Sequence, residues 1–451
     1  MNDLSAIVKA YDVRGVVPDE LDADIARALG AAFARFTGGP TVVTARDMRE
    51  SGVELARAFA EGVTSQGVDV VESGLGSTDL LYYAAGSMGV PGAMFTASHN
   101  PAKYNGIKLC LAGARPVGQD TGLAQLRDDA QSYLEHGLPA YDGTPGTVTE
   151  QDVLAGYAAY MKQLVPDLAG IRRLKVVVDA GNGMGGHTVP TTFAGLPLEV
   201  VPLFFELDGS FPHHEANPID PENLRDLQAA VREHGADLGL AFDGDADRCF
   251  VVDERGEIVS PSTLTALIAA RELARVPGST VIHNLITSRS VPEVVREHGG
   301  TPVRTRVGHS FIKAEMARTG AVFGGEHSGH FYFRDFWNAD SGMLAALHTV
   351  AALGHTDGPL SALLASYDRY AASGEINSTV DDQAGRVAAV KAAYAGSAQD
   401  ELDGLTVDVG DGAWFNVRAS NTEPLLRLNV EAPDRATCDR VRDEVVALIR
   451  G

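Results

Sequence analysis

Cysteine is scarce in this 451-residue chain: Cys110, Cys249 and Cys438 are the only three. An odd number of scattered thiols excludes a disulfide framework and gives no zinc-knuckle spacing. Basic residues are in deficit too, with 37 Lys and Arg against 60 Asp and Glu and a net charge of −23. Such a surface repels nucleic acid and acidic membranes on average, so any phosphate site has to be local. Long apolar runs are missing as well: no segment reaches the length of a bilayer span, and no apolar signal precedes Lys9. The expectation is a cytoplasmic protein with neither nucleic acid nor membrane as partner; its oligomeric state stays open.

What is present is ordinary globular composition, 45% hydrophobic and 22% charged, at a length that suggests about three domains. Strands and helices alternate. Ile7 to Gly15 reads as a short strand feeding a turn with Tyr11 and Arg14, followed by helices over Asp22–Phe36 and Glu50–Gln66 around a strand at Pro40–Thr44. Turn formers at Asp142 to Gly146 suggest a linker. The alternation predicts an α/β fold with mixed or parallel sheets, over residues 1–145, 146–252 and 253–370. A smaller α+β domain is expected over 371–451.

Four short apolar strands run into polar loops. Phe95 to Leu109, FTASHNPAKYNGIKL, presents the Ser98 hydroxyl at a strand end, with Lys108 near enough to bring positive charge. Asp243, Asp245 and Asp247 crowd three carboxylates into DGDADR, which is repulsive without a hard cation; oxygen ligands of this kind suit Mg2+ or Ca2+. An EF-hand fails because Arg248 stands where that loop needs glycine and the flanks read as strands. In GEHSGH, Glu326 can accept from neighbouring sugar hydroxyls while Ser328 and His330 donate. RASNTEP brings Arg418, Ser420, Asn421 and Thr422, a set suited to phosphate. Gly308, His309 and Ser310 open a further helix, where backbone donors favour an anion. Gly181, Gly183 and Gly186, with Glu206 beyond, form a rival dinucleotide signature, although Pro190 interrupts the helix that should receive the pyrophosphate. Strand-end loops that share one central cleft would join a nucleophile, a metal, a hydroxyl reader and a phosphate clamp.

Over nearly its whole length, and in the right order, the chain resembles the alpha-D-phosphohexomutase family. TASHNP is similar to its phosphoserine loop, DGDADR to its magnesium loop, GEHSGH to its sugar loop and RASNTEP to its phosphate loop; AYDVRG matches too. His327 and His330 are similar to the phosphomannomutase and phosphoglucomutase branch. The resemblance implies interconversion of mannose 6-phosphate and mannose 1-phosphate, and of the glucose phosphates, through a hexose 1,6-bisphosphate. Ser98 would carry the phosphoryl group, and Ser98, Asp243, Asp245 and Asp247 would hold Mg2+. Lys108 would be acid or base with His309 second, and Arg14 would steady the transferring group. Tyr11, Arg248, Gly308, Glu326, His327, Ser328, Gly329, His330, Arg418, Ser420, Asn421 and Thr422 would bind substrate. One position departs: Ile286 stands where dual-activity relatives carry a lysine, with Arg289 as its candidate substitute. A phosphoglucomutase or phosphoglucosamine mutase of the same family, an NAD-dependent oxidoreductase and a silent sugar-phosphate binder are the alternatives.

Overall fold

In the computed structural model, which describes residues 3–420 and 424–451, the first sheet is built on the parallel strands Thr41–Arg46, Asp69–Leu75 and Gly92–Phe95. Tyr104–Leu111 pairs antiparallel with Gly92–Phe95 and with Val13–Val16. The strand therefore follows Tyr11, whereas the sequence reading put it before: Leu4–Ala6 is a single 3-10 turn, and Val8 contributes one isolated bridge to Val13. After Asp142–Gly146 the chain re-enters the same sheet, where Val148–Glu150 pairs parallel with Asp69–Leu75.

Helix Ala23–Thr37 starts where Asp22 accepts the Ile25 amide and stops at Gly38 in the left-handed region. It lies backbone to backbone on helix Ser51–Thr64. A Cβ on Gly30 would sit 2.1 Å from the Phe59 carbonyl oxygen, and one on Gly62 2.0 Å from that of Arg27. Helix Thr78–Met88 went unread in the sequence because residues on every side of it are buried, which erases the amphipathic period.

Contacts divide the chain into two units, one of Met1–Val259 with Ser328–Leu363 and one of Ser260–His327 with Leu364–Gly451. The first unit holds a second sheet, in which Leu174–Asp179 runs parallel to Leu198–Leu203 and Leu238–Phe242, and Cys249–Asp253 returns antiparallel. It also holds the hairpin Phe331–Phe333 with Ala339–Asp340 and the wholly buried helix Gly342–Gly354. In the second unit, Thr280–Asn284 pairs parallel with Thr301–Thr305 and Phe323–Gly325. A five-stranded antiparallel sheet, from Ala371–Thr379 to Ala398–Asp400, packs under helices Gln383–Ala393 and Arg435–Arg450. All three cysteines are buried and free. Among the described residues no helix is long and apolar enough to cross a membrane.

The glycine signature has a packing role. A Cβ on Gly183 would lie 2.7 Å from the Gly244 carbonyl oxygen and one on Gly186 2.2 Å from that of Phe205. Met184 donates its amide to Gly244. The turn that a pyrophosphate would need is thus filled by the chain's own backbone and buttresses the acidic loop.

Candidate active site

The acidic loop bridges two adjacent strands of the second sheet, so its carboxylates leave a buried edge with little freedom. Asp243 and Asp245 are fully buried and Asp247 nearly so. One oxygen of each lies within 4.8 Å of the others. Oδ1 of Asp245 and Oδ1 of Asp247 are buried without a hydrogen-bond partner, a state that is costly unless a cation takes those lone pairs. The donor set is all hard oxygen. These residues fit a divalent cation on their own chemistry.

Ser98 belongs to the same cluster. Its Oγ donates to Asp243 Oδ2 at 2.9 Å and lies 3.2 Å from His99 Nδ1. The residue adopts φ 51°, unusual for a side chain with a Cβ. The Arg248 guanidinium donates to His99 Nδ1 and, through Nε, to Asp243 at 2.9 Å. Burial, with Arg248 and Arg14 beside it, pushes the His99 imidazole down to about 2, so it stays neutral and is no general base for Ser98. Arg14 donates to Asn100 Oδ1 at 2.8 Å in the serine loop and to Asp12.

Burial pushes Asp243 up to about 8, Asp247 and Asp245 adding to the effect and Arg248 opposing it. Burial also works against charge on Asp245, but Lys108 and the Thr78 hydroxyl override it and hold that carboxyl below the usual range. Lys108 Nζ sits 2.6 Å from both Asp245 Oδ2 and Asp247 Oδ2. Burial alone would lower its pKa; the two carboxylates more than offset this and hold it well above the ordinary lysine value. A base was one of the two roles expected of Lys108. Held as an ammonium, the side chain has no lone pair with which to accept a proton.

Ser328 Oγ lies 2.9 Å from His330 Nδ1, and His330 forms a backbone bridge with Arg248, its Nε2 3.7 Å from Asp247 Oδ1. Gly329 is required beside them: it has φ 85°, and a Cβ there would lie 2.5 Å from the Phe250 ring.

Other expected site residues lie in the second unit. Glu326 is buried and accepts from Asn284 Nδ2 at 3.2 Å and from the Gly308 amide at 3.0 Å, so that amide is engaged by the sugar loop instead of standing open to an anion. His327 Nδ1 is 3.4 Å from Ser262 Oγ, and burial lowers its pKa. Ile286 lines a cavity of about 50 Å³ with His327, Ser262 and Trp414. Arg289 is committed elsewhere, 2.8 Å from Asp408. Arg418 faces Asp403 at 3.6 Å and Glu375 at 3.9 Å, and the Ser420 amide donates to Leu425. Asn421 and Thr422 lie outside the described residues, as does the His309 side chain.

Two buried groups at the site escaped sequence reasoning. Arg49, one residue before the helix expected from Glu50, was passed over, and it is 1% exposed. Asp79 accepts from Ser77, Tyr157 and Ser341 in the helix that begins at Thr78, whose own amide and hydroxyl bond Asp245. An arginine two residues after an aspartate at a strand end was the only available signal.

Four family signatures match the chain in order: Phosphoglucomutase/phosphomannomutase, alpha/beta/alpha domain I over residues 5–135, domain II over 155–256, domain III over 260–370 and the C-terminal domain over 375–448. The chain belongs to the phosphoglucomutase/phosphomannomutase family. A phosphomannomutase from Escherichia coli is 39% identical, the match covering 98% of each chain. A phosphomannomutase/phosphoglucomutase from Pseudomonas putida is 39% identical over 97% of this chain and 94% of its own. A crystal structure of a phosphoglucomutase/phosphomannomutase family protein from Burkholderia thailandensis superposes with a TM-score of 0.85 at 35% identity, covering 98% of this chain and 97% of that one. Membership in this phosphohexomutase family agrees with the α/β architecture and sets aside the oxidoreductase reading.

Proposed function

We propose that the protein is a phosphomannomutase, interconverting mannose 6-phosphate and mannose 1-phosphate and accepting the glucose phosphates as well. The observation that carries this reading is the Ser98 hydroxyl bonded to Asp243 within a triad that has buried, unpartnered carboxylate oxygens. Asp243, Asp245 and Asp247 would hold Mg2+, with an oxygen of phosphorylated Ser98. A bound divalent cation would supply positive charge to the phosphoryl oxygens during transfer.

The chain's own groups do the rest. Phosphorylated Ser98 gives its phosphoryl group to the free hydroxyl of a hexose phosphate, producing a hexose 1,6-bisphosphate. After the sugar reverses, Ser98 Oγ attacks the other phosphate, the Oγ–P bond forming as the sugar O–P bond breaks, and the serine proton ends on the sugar oxygen released. Arg14 and the Lys108 ammonium stabilise the charge on the group in transit. Arg248, Glu326, His327, Ser328 and His330 read sugar hydroxyls; Arg418 and Ser420, with Asn421 and Thr422, grip the phosphate that is not reacting. Tyr11, Gly308 and Gly329 belong to the same substrate-binding set, and His309 is the second candidate, after Lys108, for moving the proton.

A coupled assay with mannose 1-phosphate and with glucose 1-phosphate, in the presence of Mg2+ and a trace of hexose 1,6-bisphosphate, tests the reading. Turnover of mannose 1-phosphate is expected. Binding of either sugar phosphate without turnover would overturn it in favour of a silent binding protein.

A further inference from the structure

We propose that Arg49 is a positioning residue for phosphoryl transfer, a clamp that holds the Ser98 loop in the conformation that brings the serine hydroxyl onto the acidic triad; this rests on the reading of Ser98 as phosphoryl carrier. A guanidinium has five N–H donors, and every one of Arg49's is used. Nε donates to Asp47 Oδ2 at 3.2 Å, Nη1 to the carbonyls of Pro101 at 3.0 Å and Tyr104 at 2.9 Å, and Nη2 to those of Ser98 at 2.9 Å and Asn100 at 2.6 Å. Four of the five acceptors are main-chain oxygens between residues 98 and 104, and three of those four, on Ser98, Asn100 and Pro101, lie in the connection outside both strands.

That stretch needs an external hold. Ser98 sits in the left-handed region, which a residue with a Cβ rarely adopts. Its carbonyl is also packed so that a Cβ on Gly244, in the acidic loop, would lie 2.4 Å away. Arg49 therefore fixes the carbonyl of the residue whose side chain points at Asp243. The guanidinium is itself fixed: Asp47 accepts both its Nε and its main-chain amide, the Phe211 ring lies 5.0 Å from Cζ, and the Gly209 backbone closes against its Cα. Arg49 touches neither the triad nor the Ser98 hydroxyl, so its contribution is to placement, not to binding. Lysine cannot replace it, having three donors on one atom and no planar fork.

The test is Arg49→Lys in the full-length enzyme with Mg2+, alongside the wild type. We expect kcat to fall by at least about 100-fold while KM for mannose 1-phosphate stays within about threefold. Phosphorylation of Ser98 by hexose 1,6-bisphosphate should slow in parallel. A kcat within about twofold of wild type, or a loss confined to KM, overturns the proposal. Should the variant not fold, hydrogen exchange on the wild type decides. The amides of Ser98, Asn100 and Tyr104, each bonded inside the loop, should be protected for minutes or longer, and exchange within seconds would show that the clamp does not hold. A wild type without turnover would count against the mutase reading alone, since the exchange experiment would still report on the clamp.

Discussion

Replacing Lys108 by methionine keeps the length of the side chain and removes the charge. In the structure that charge lies 2.6 Å from one oxygen of Asp245 and 2.6 Å from one of Asp247, on a side chain 19% exposed. Arg248, the guanidinium at the triad, is bonded to Asp243 instead. Without the ammonium, two buried carboxylates lose their nearest counter-charge. Breaking one side of a buried pair costs roughly 3–5 kcal/mol. At about 1 °C per kcal/mol for a protein of this size, Lys108→Met should melt at least about 3 °C below wild type in EDTA. A divalent cation would then take over the missing charge, so millimolar MgCl2 should raise the melting temperature of the variant by more than it raises that of wild type. Activity should not return with stability: loss of the proton donor and of charge on the transferring group should lower kcat by about 100-fold or more. Thermal melts with and without Mg2+, followed by the coupled assay, measure both. The reasoning is refuted if the variant melts with wild type in EDTA, or if Mg2+ stabilises the two proteins equally.

Two further outcomes follow from groups away from the triad. His283 is buried and pushed down to about 4 by that burial, with Arg304 and Arg296 adding to it. It is therefore neutral in the folded protein at pH values where the unfolded chain's histidine is charged. Its contribution is whole above pH 6.5 and is lost as pH falls toward 4, at up to about 1.4 kcal/mol per unit. The urea midpoint of His283→Gln should accordingly fall less than that of wild type between pH 7 and pH 5, and equal falls would contradict the assignment. Gly30→Ala places a methyl 2.1 Å from the Phe59 carbonyl and should destabilise the protein by roughly 1–3 kcal/mol, despite alanine's better helix propensity; an unchanged or higher denaturation midpoint would show that the helix pair can part freely.

Much of the site could be read because its chemistry is local. Three aspartates in six residues, or a serine followed by His-Asn-Pro at a strand end, are contiguous patterns whose charge and backbone demands need no partner to be recognised. What could not be read is carried by groups that act across the fold. Arg49 meets carbonyls about fifty residues away, and Asp79 meets Ser341 across 262 residues. The Thr78–Met88 helix shows no amphipathic stripe because its surroundings are buried all round. Val148–Glu150 is three exposed residues that become a strand only through pairing with Asp69–Leu75. The pairing of Lys108 was likewise invisible: it is a plain strand residue in sequence, and its charge is held by carboxylates 137 and 139 positions away.

Ser98 Oγ is the one atom on which phosphorylation, and with it the mutase reaction, depends. Incubation with hexose 1,6-bisphosphate and Mg2+, followed by intact-mass measurement and peptide mapping, should give a single phosphoryl group on the peptide containing Ser98. Ser98→Ala should carry none and turn over no mannose 1-phosphate. A phosphoryl group on another residue, or an active Ser98→Ala enzyme, would contradict it.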